Sequence, residues 1–379
     1  MGAILIMAGV ASAQNWIQTS APSLNWVSIA SSADGNKLVA VNSPGPIYTS
    51  TNSGVDWNQV ELQGQKWTSV ASSADGAKLV ATSCLYANTI QTSSDSGATW
   101  IQQTNAPTLF WYAVASSADG ARLVAVEGGG GIYTSTNSGV DWISNNVPLL
   151  PWCAVASSAD GTKLVAVAEA NGIYTSTNSG KDWINQTNAL PHYWKSVASS
   201  ADGSKLIAGA IASYIPRAPV SIYTSHDFGV TWVSNNIMSS HWLSVASSAD
   251  GTKLAASDGS QIYTSTNFGA TWTSNNLPIY YYTSIATSAD GCKLAVVVTA
   301  GGIFTSQTTS SPLLNLSLSP PNCSLAWTIP STNFGLQQSS DLAAWADVTN
   351  SPVLNLTNIQ NQVTLCSSNS SSFYRLKTR

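Results

Sequence analysis

One octapeptide, Ser-(Val/Ile)-Ala-(Ser/Thr)-Ser-Ala-Asp-Gly, recurs in seven variants along the chain. Its Asp-Gly pairs fall at Asp34, Asp75, Asp119, Asp160, Asp202, Asp250 and Asp290, so successive copies stand 41, 44, 41, 42, 48 and 40 residues apart. A period of about forty residues with four strand-like runs in each is the sequence form of a blade. A single four-stranded sheet cannot bury both faces, whereas seven copies stacked around an axis bury one another. The expected fold is all-β: a seven-bladed β-propeller.

The unit that opens at Trp152 shows the local logic. CAVASSA alternates as a strand, Asp160-Gly161 is a hairpin turn signal, KLVAVA is a second β-branched run and GIYTS a third. STNSGKDW follows, then a short INQT run before the connection to the next blade. The eight-residue STNSGKDW element resembles the Asp-box, S-x-D-x-G-x-T-W, the turn between the third and fourth strands of BNR-repeat, sialidase-like propeller blades. Ser93 to Trp100 and Ser225 to Trp232 match it in full. Four other copies place Asn52, Asn137, Asn178 or Asn267 at the Asp position, and three of these have Asp56, Asp141 or Asp182 for the Thr. Asn and Asp both accept backbone N–H bonds and tolerate left-handed geometry, so the turn is expected to survive the exchange. Gly97 and Gly229 are expected at positive φ, with the closing Trp packed between blades. The resemblance implies that Asp95 and Asp227 are structural.

Ring closure is legible in the tryptophan register. Box tryptophans stand at Trp57, Trp100, Trp142, Trp183, Trp232 and Trp272, one period before Trp57 lies Trp16, and the seventh unit, GGIFTSQTTSS, has no Trp. Residues 14–20 are therefore expected to supply the outermost strand of blade seven, which leaves no open edge.

Strand polarity then separates two faces. The Asp-Gly turns and the boxes share one face, nearly the same in every blade; the loops SPGP, SCLYAN, EGGGG, AEAN, AIASYIPRAPV, SDGS and TAGG share the other with the connections between blades. Variable loops on a rigid scaffold are where specificity resides. This face carries a ring of aromatics: Trp26, Trp67, Trp111, Trp152, Trp194, Trp242 and Tyr282 open the blades, with Phe110, Tyr112, His192, Tyr193, His241, Tyr280 and Tyr281 beside them. Aromatic faces stack on sugars and on apolar side chains. The candidate ligand contacts are Trp111, Tyr112, Trp152, Tyr193, Trp194, Arg217, His241, Trp242, Tyr281 and Tyr282. A second reading stands beside this one for the seven repeated aromatics, namely that they wedge between blades.

Catalytic patterns are sparse. Sialidases of the resembling superfamily hold the substrate carboxylate with three arginines, but the propeller has Arg122 and Arg217 alone, and Arg122 follows an Asp-Gly turn on the other face. A two-carboxylate glycosidase needs acids across a cleft, and Glu127, Glu169 and Asp258 are the runner-up set. His192, His226 and His241 lack metal-ligand spacing, and neither a nucleophile elbow nor a phosphate loop occurs, so no cofactor or metal is expected.

Composition narrows the partners. Only 8% of residues are charged, with 14 basic against 18 acidic and no basic run, which is the wrong electrostatic footprint for nucleic acid. Residues 1–13, MGAILIMAGVASA, read as a secretory signal peptide, too short to span a bilayer, and no other stretch reads as a membrane span. The chain is expected to be secreted, periplasmic or at the cell surface.

The propeller is expected over residues 14–310. From 311 to 379 the period ends and several short strands imply a small β-sandwich, which resembles a tail module of secreted Verrucomicrobia-type bacterial proteins. Cys323 and Cys366 there are read either as one disulfide or as two separate thiols; Cys84, Cys153 and Cys292 are read as lone thiols. Three functions follow as expectations. The first is a non-catalytic binding protein for extracellular glycan or protein, the second a glycoside hydrolase, and the third a structural, self-associating surface protein.

Overall fold

The computed structural model describes residues 15–378 apart from 63–64, 85–88, 190–191, 213–219, 240, 276, 279, 309–313, 320–321, 329–333, 340–345, 350–352, 356–359 and 367–372. Every regular element among the described residues is a β-strand. Residues 16–307 form five four-stranded antiparallel sheets and one eight-stranded sheet, in which the third and fourth repeats are joined where Gly128 pairs with Pro151 and Gly130 with Leu150. In blade one the strands run outward from the axis as Trp26–Ser31, Leu38–Asn42, Ile47–Ser50 and Asn58–Val60. The innermost strands of the next five blades are Trp67–Ser72, Trp111–Ser116, Leu150–Ser157, Tyr193–Ser199 and Ser244–Ser247.

Blade seven is assembled from both ends of the propeller sequence. Its first three strands are Tyr282–Thr287, Lys293–Val298 and Ile303–Gln307, and its fourth is Trp16–Gln18, paired through Trp16 with Ser306, Ile17 with Thr305 and Gln18 with Phe304. A second closure lies nearer the axis. The N–H of Ala33 donates to the carbonyl of Ala74, and the pattern repeats through Ala118, Ala159, Ala201, Ala249 and Ala289, whose N–H returns to Ala33, all at 2.7–2.8 Å. Seven bonds that return to their starting residue require a closed ring. The same alanines form an apolar cluster of their own at the Asp-Gly end of the axis.

The burial gradient explains the run pattern. Leu38–Asn42 is buried at every position because both faces of the second strand meet neighbouring blades, so it reads as an unbroken apolar run, whereas the outermost Asn58–Val60 is largely exposed. Serines sew adjacent inner strands together: the Ser28 hydroxyl accepts from the N–H of Val70, Ser69 from Val114, Ser196 from Val245, Ser244 from Ile285 and Ser284 from Ile29, at 3.0–3.3 Å.

Beyond residue 313 a four-stranded and a three-stranded antiparallel sheet share one apolar cluster built on Leu325, Trp327, Leu336 and Val363. The backbone register sets Cys323 opposite Leu365 and Cys366 opposite Asn322. The side chains of both cysteines lie outside the described residues, as do residues 1–13. Cys84, Cys153 and Cys292 are not in disulfides.

Candidate ligand-binding face

The repeated face is occupied by its own hydrogen bonds. In each Asp-Gly turn the preceding serine donates to the Asp, as Ser158 does to Asp160 at 2.6 Å, and the Asp accepts the N–H two residues on, here Thr162 at 3.0 Å. Gly161 has φ +70°, and a Cβ there would stand 2.8 Å from the Cβ of Arg122, a residue of the preceding blade. The turn therefore needs glycine twice, for its left-handed backbone and for the basic stem laid across it. That stem belongs to a second ring. Lys163 Nζ donates to the Asp202 carbonyl and Lys205 Nζ to the Asp250 carbonyl, both at 2.7 Å, while Lys293 Nζ crosses the closing seam to Asn36 Oδ1 at 2.6 Å. Lys37, Lys78, Arg122 and Lys253 reach the following blade in the same way. Sequence reading took note of Arg122 alone among these seven cations, although their fixed place two residues after each Asp-Gly was a signal.

The boxes are equally self-contained. Asp95 accepts the Thr99 hydroxyl at 2.6 Å, the Thr99 N–H at 2.9 Å and the Ser93 hydroxyl at 2.8 Å, and these bonds hold its carboxyl down at a pKa of about 2. In Asn-containing copies the geometry persists: Asn52 Oδ1 accepts the Asp56 N–H at 2.9 Å and its amide donates to Asp56 at 2.8 Å. The indole of Trp100 donates to the Gly97 carbonyl and packs with residues of blades one and two.

These carboxylates predict an acid response. Burial pushes Asp75, Asp119, Asp160, Asp202, Asp227 and Asp250 up, but their hydrogen bonds outweigh it, so with Asp95 seven carboxyls sit below their ordinary value; Asp290 is raised by burial. A depressed carboxyl contributes stability above its unfolded pKa and loses it as pH falls through the folded one. Asp290 has the opposite sign and is outnumbered. Thermal unfolding is thus expected to decline slightly from pH 7 to about 4, because buried His192 resists protonation, and to fall steeply toward pH 2. A midpoint that stays level to pH 2 would contradict these turn networks.

On the opposite face, the ten proposed contacts separate into groups. Trp111, Trp152, Trp194, Trp242 and Tyr282 are 0–1% exposed and cannot touch a ligand. This corrects the contact reading in favour of the wedge. The opening aromatic of each blade is covered by the blade before it, and several are tied there: the indole of Trp152 donates to the Gly130 carbonyl and that of Trp242 to the Val220 carbonyl. Trp111 and Trp194 make edge-on contacts with Tyr133 and Tyr223 instead. Tyr193 and His241 are half-buried in pairings with Glu169 and Ile211. Arg217 lies outside the described residues. Tyr112 and Tyr281 remain open, together with Phe110, Tyr280 and Leu149. His192 packs between Trp194 and Tyr223, where burial lowers its pKa and favours the neutral ring.

The runner-up acids are not equivalent. Glu127 stands opposite Trp111, but the residue opposite Trp152 is Ala168, so Glu169 is one step further along its strand. Asp258 caps its own loop, accepting from the N–H groups of Ser260 and Gln261 at 2.9 and 2.8 Å. Glu127 folds over its own loop toward the Gly131 N–H at 3.4 Å. Two cavities, of about 250 and 240 Å³, lie in the seams between blades seven and one and between blades two and three, and none of the three acids lines either. No group of three His, Cys, Asp or Glu among the described residues could hold a metal, and no helix there is long and apolar enough to cross a membrane.

Comparison with known proteins agrees with this architecture. A family profile described as BNR-Asp box repeat matches residues 222–234. The structure titled "YCF48 bound to D1 peptide" superposes with a TM-score of 0.60 at 15% identity, covering 80% of this chain and 100% of that one. "YCF48 from Cyanidioschyzon merolae" gives 0.58 at 15%, covering 76% and 98%. No curated protein sequence matches. The chain carries an Asp-box repeat and shares the β-propeller fold of these structures.

Proposed function

We propose that this protein is a non-catalytic binding scaffold that engages an extracellular polypeptide or glycan through its variable face. One contrast carries the reading. The repeated face consumes its polar groups in its own turns, whereas the variable face leaves Phe110, Tyr112, Tyr280 and Tyr281 41–57% exposed at or just before the starts of inner strands. Amphipathic aromatics held at little entropic cost are the usual anchors of an interface. That a propeller of the same fold, YCF48, is titled as bound to a peptide supports a polypeptide partner. Scarce charge, at 8% of residues, supports secretion or display at the cell surface. Against hydrolysis stand the separate engagements of Glu127 and Asp258 within their own loops.

The test is binding of the wild type and the double variant Phe110→Ala, Tyr281→Ala to glycan and peptide arrays. Losing two exposed aromatics of this face is expected to cost about 2 kcal/mol or more, thirtyfold or greater in affinity. Equal binding by both proteins, or none by the wild type, overturns the proposal.

A further inference from the structure

The residue after each opening aromatic lies where the inner strand slips register in six of the seven blades. A bulge re-aims one side chain out of the sheet. The seven residues at this position are Val27, Thr68, Tyr112, Cys153, Lys195, Leu243 and Thr283, an unlike set in an otherwise uniform repeat. Three of them bind the ring itself: Thr68 donates to the Trp111 carbonyl at 2.9 Å, Thr283 to that of Trp26 at 3.0 Å and Cys153 to that of Trp194 at 2.9 Å.

Tyr112 and Lys195 behave differently. They belong to blades three and five, which are not neighbours, yet Lys195 Nζ donates to the Tyr112 hydroxyl at 2.9 Å and lies 5.1 Å from the centre of its ring. That contact spans blade four and so crosses on the axial side. Lys195 has no other hydrogen-bond partner among the described residues, which leaves two ammonium protons open beside a phenol whose own proton is free to donate. Burial opposes charge on Lys195, but the hydrogen bond to Tyr112 and the nearby Glu169 carboxylate outweigh it and hold its pKa above the ordinary value. Exposed apolar residues stand close by in the backbone: Gly128 packs against Tyr112, donates its N–H to the Phe110 carbonyl and pairs with Pro151, and both Phe110 and Leu149 are exposed.

From this geometry we infer that Lys195 and Tyr112 form a two-donor clamp at the axial mouth for a carboxylate carried next to an apolar side chain of a partner polypeptide. The inference rests on the binding reading above and names its ligand chemistry. Two donors on one side match the two oxygens of a carboxylate, and Leu149 offers an apolar side chain a surface that a hydroxyl-rich sugar would gain little from. The carboxylate can be a chain end or an Asp or Glu side chain.

The full chain is applied to an array of nine-residue peptides printed with free and with amidated C-termini, and the strongest binder is titrated in solution. The Lys195→Met variant is expected to weaken it about ten- to a hundredfold, the worth of a charged hydrogen bond, and Tyr112→Phe several-fold. Lys195→Arg is expected to retain binding, which guards against a misfolded methionine variant. Loss on amidation identifies a chain end; loss on Glu→Gln or Asp→Asn in the peptide identifies a side chain. Unchanged affinity in Lys195→Met, or binders without any carboxylate dependence, overturns the clamp. If Phe110→Ala, Tyr281→Ala abolishes binding while Lys195→Met does not, the face stands and the clamp falls. Binding to uronic-acid oligosaccharides with no peptide bound also refutes it.

Discussion

Trp152→Ala is expected to lower the unfolding free energy by about 3–5 kcal/mol, the cost of emptying a closed aromatic site. The indole is 1% exposed and lies in one cluster with Val124, Val126 and Ile132 of blade three and with Val155, Leu164 and Ala166 of its own blade. Its edge meets Tyr174 at 5.1 Å and 80°, and its N–H satisfies the Gly130 carbonyl at 3.1 Å. Truncation opens a void walled by two separate sheets, which can collapse only if the blades tilt. The ring closure resists that tilt, so little of the loss is recovered. At a few degrees per kcal/mol, the thermal midpoint is expected to fall by roughly 10 °C, while Tyr281→Ala on the exposed rim changes it little. A Trp152→Ala protein of unaltered stability that had lost ligand binding would restore the contact reading and refute the wedge.

Removing residues 1–20 is expected to have the other large effect. It strips the outermost strand from blade seven and takes with it Trp16, which packs on the cluster of Tyr282, Ile285, Val296 and Phe304. The edge of Ile303–Gln307 is then bare, and an unpaired strand edge recruits other chains. Loss of at least about 3 kcal/mol, from the aromatic alone, is expected together with concentration-dependent aggregation, read by denaturant unfolding and light scattering. The converse variant, Ile17→Cys with Thr305→Cys, joins directly opposed residues. An oxidised bridge across so long a loop is expected to raise stability by up to about 4–5 kcal/mol. A truncated chain as stable and monodisperse as the full one would show that the ring does not depend on its first strand.

Much of this fold could be read from residues, because each repeat encodes its blade locally. The missing seventh box tryptophan pointed to Trp16, and the pairing of Trp16 with Ser306 is where that register leads. The boxes kept their turn where Asn replaced Asp, since the accepting oxygen is common to both. The candidate site was less legible. An aromatic at the start of an inner strand occupies a column shared by the rim and the seam, and its chemistry suits either. Trp194 at 1% exposure and Tyr281 at 57% are told apart only by what the preceding blade covers.

Period, turn chemistry and strand register were therefore properties of the sequence itself, since each depends on residues a few positions apart. The three-dimensional arrangement alone decided which rings are buried, which acids stay within their own loops, and that Lys195 meets Tyr112 from 83 positions away. Such contacts are set by where a bulge aims a side chain across the axis, and the linear pattern holds no record of that direction.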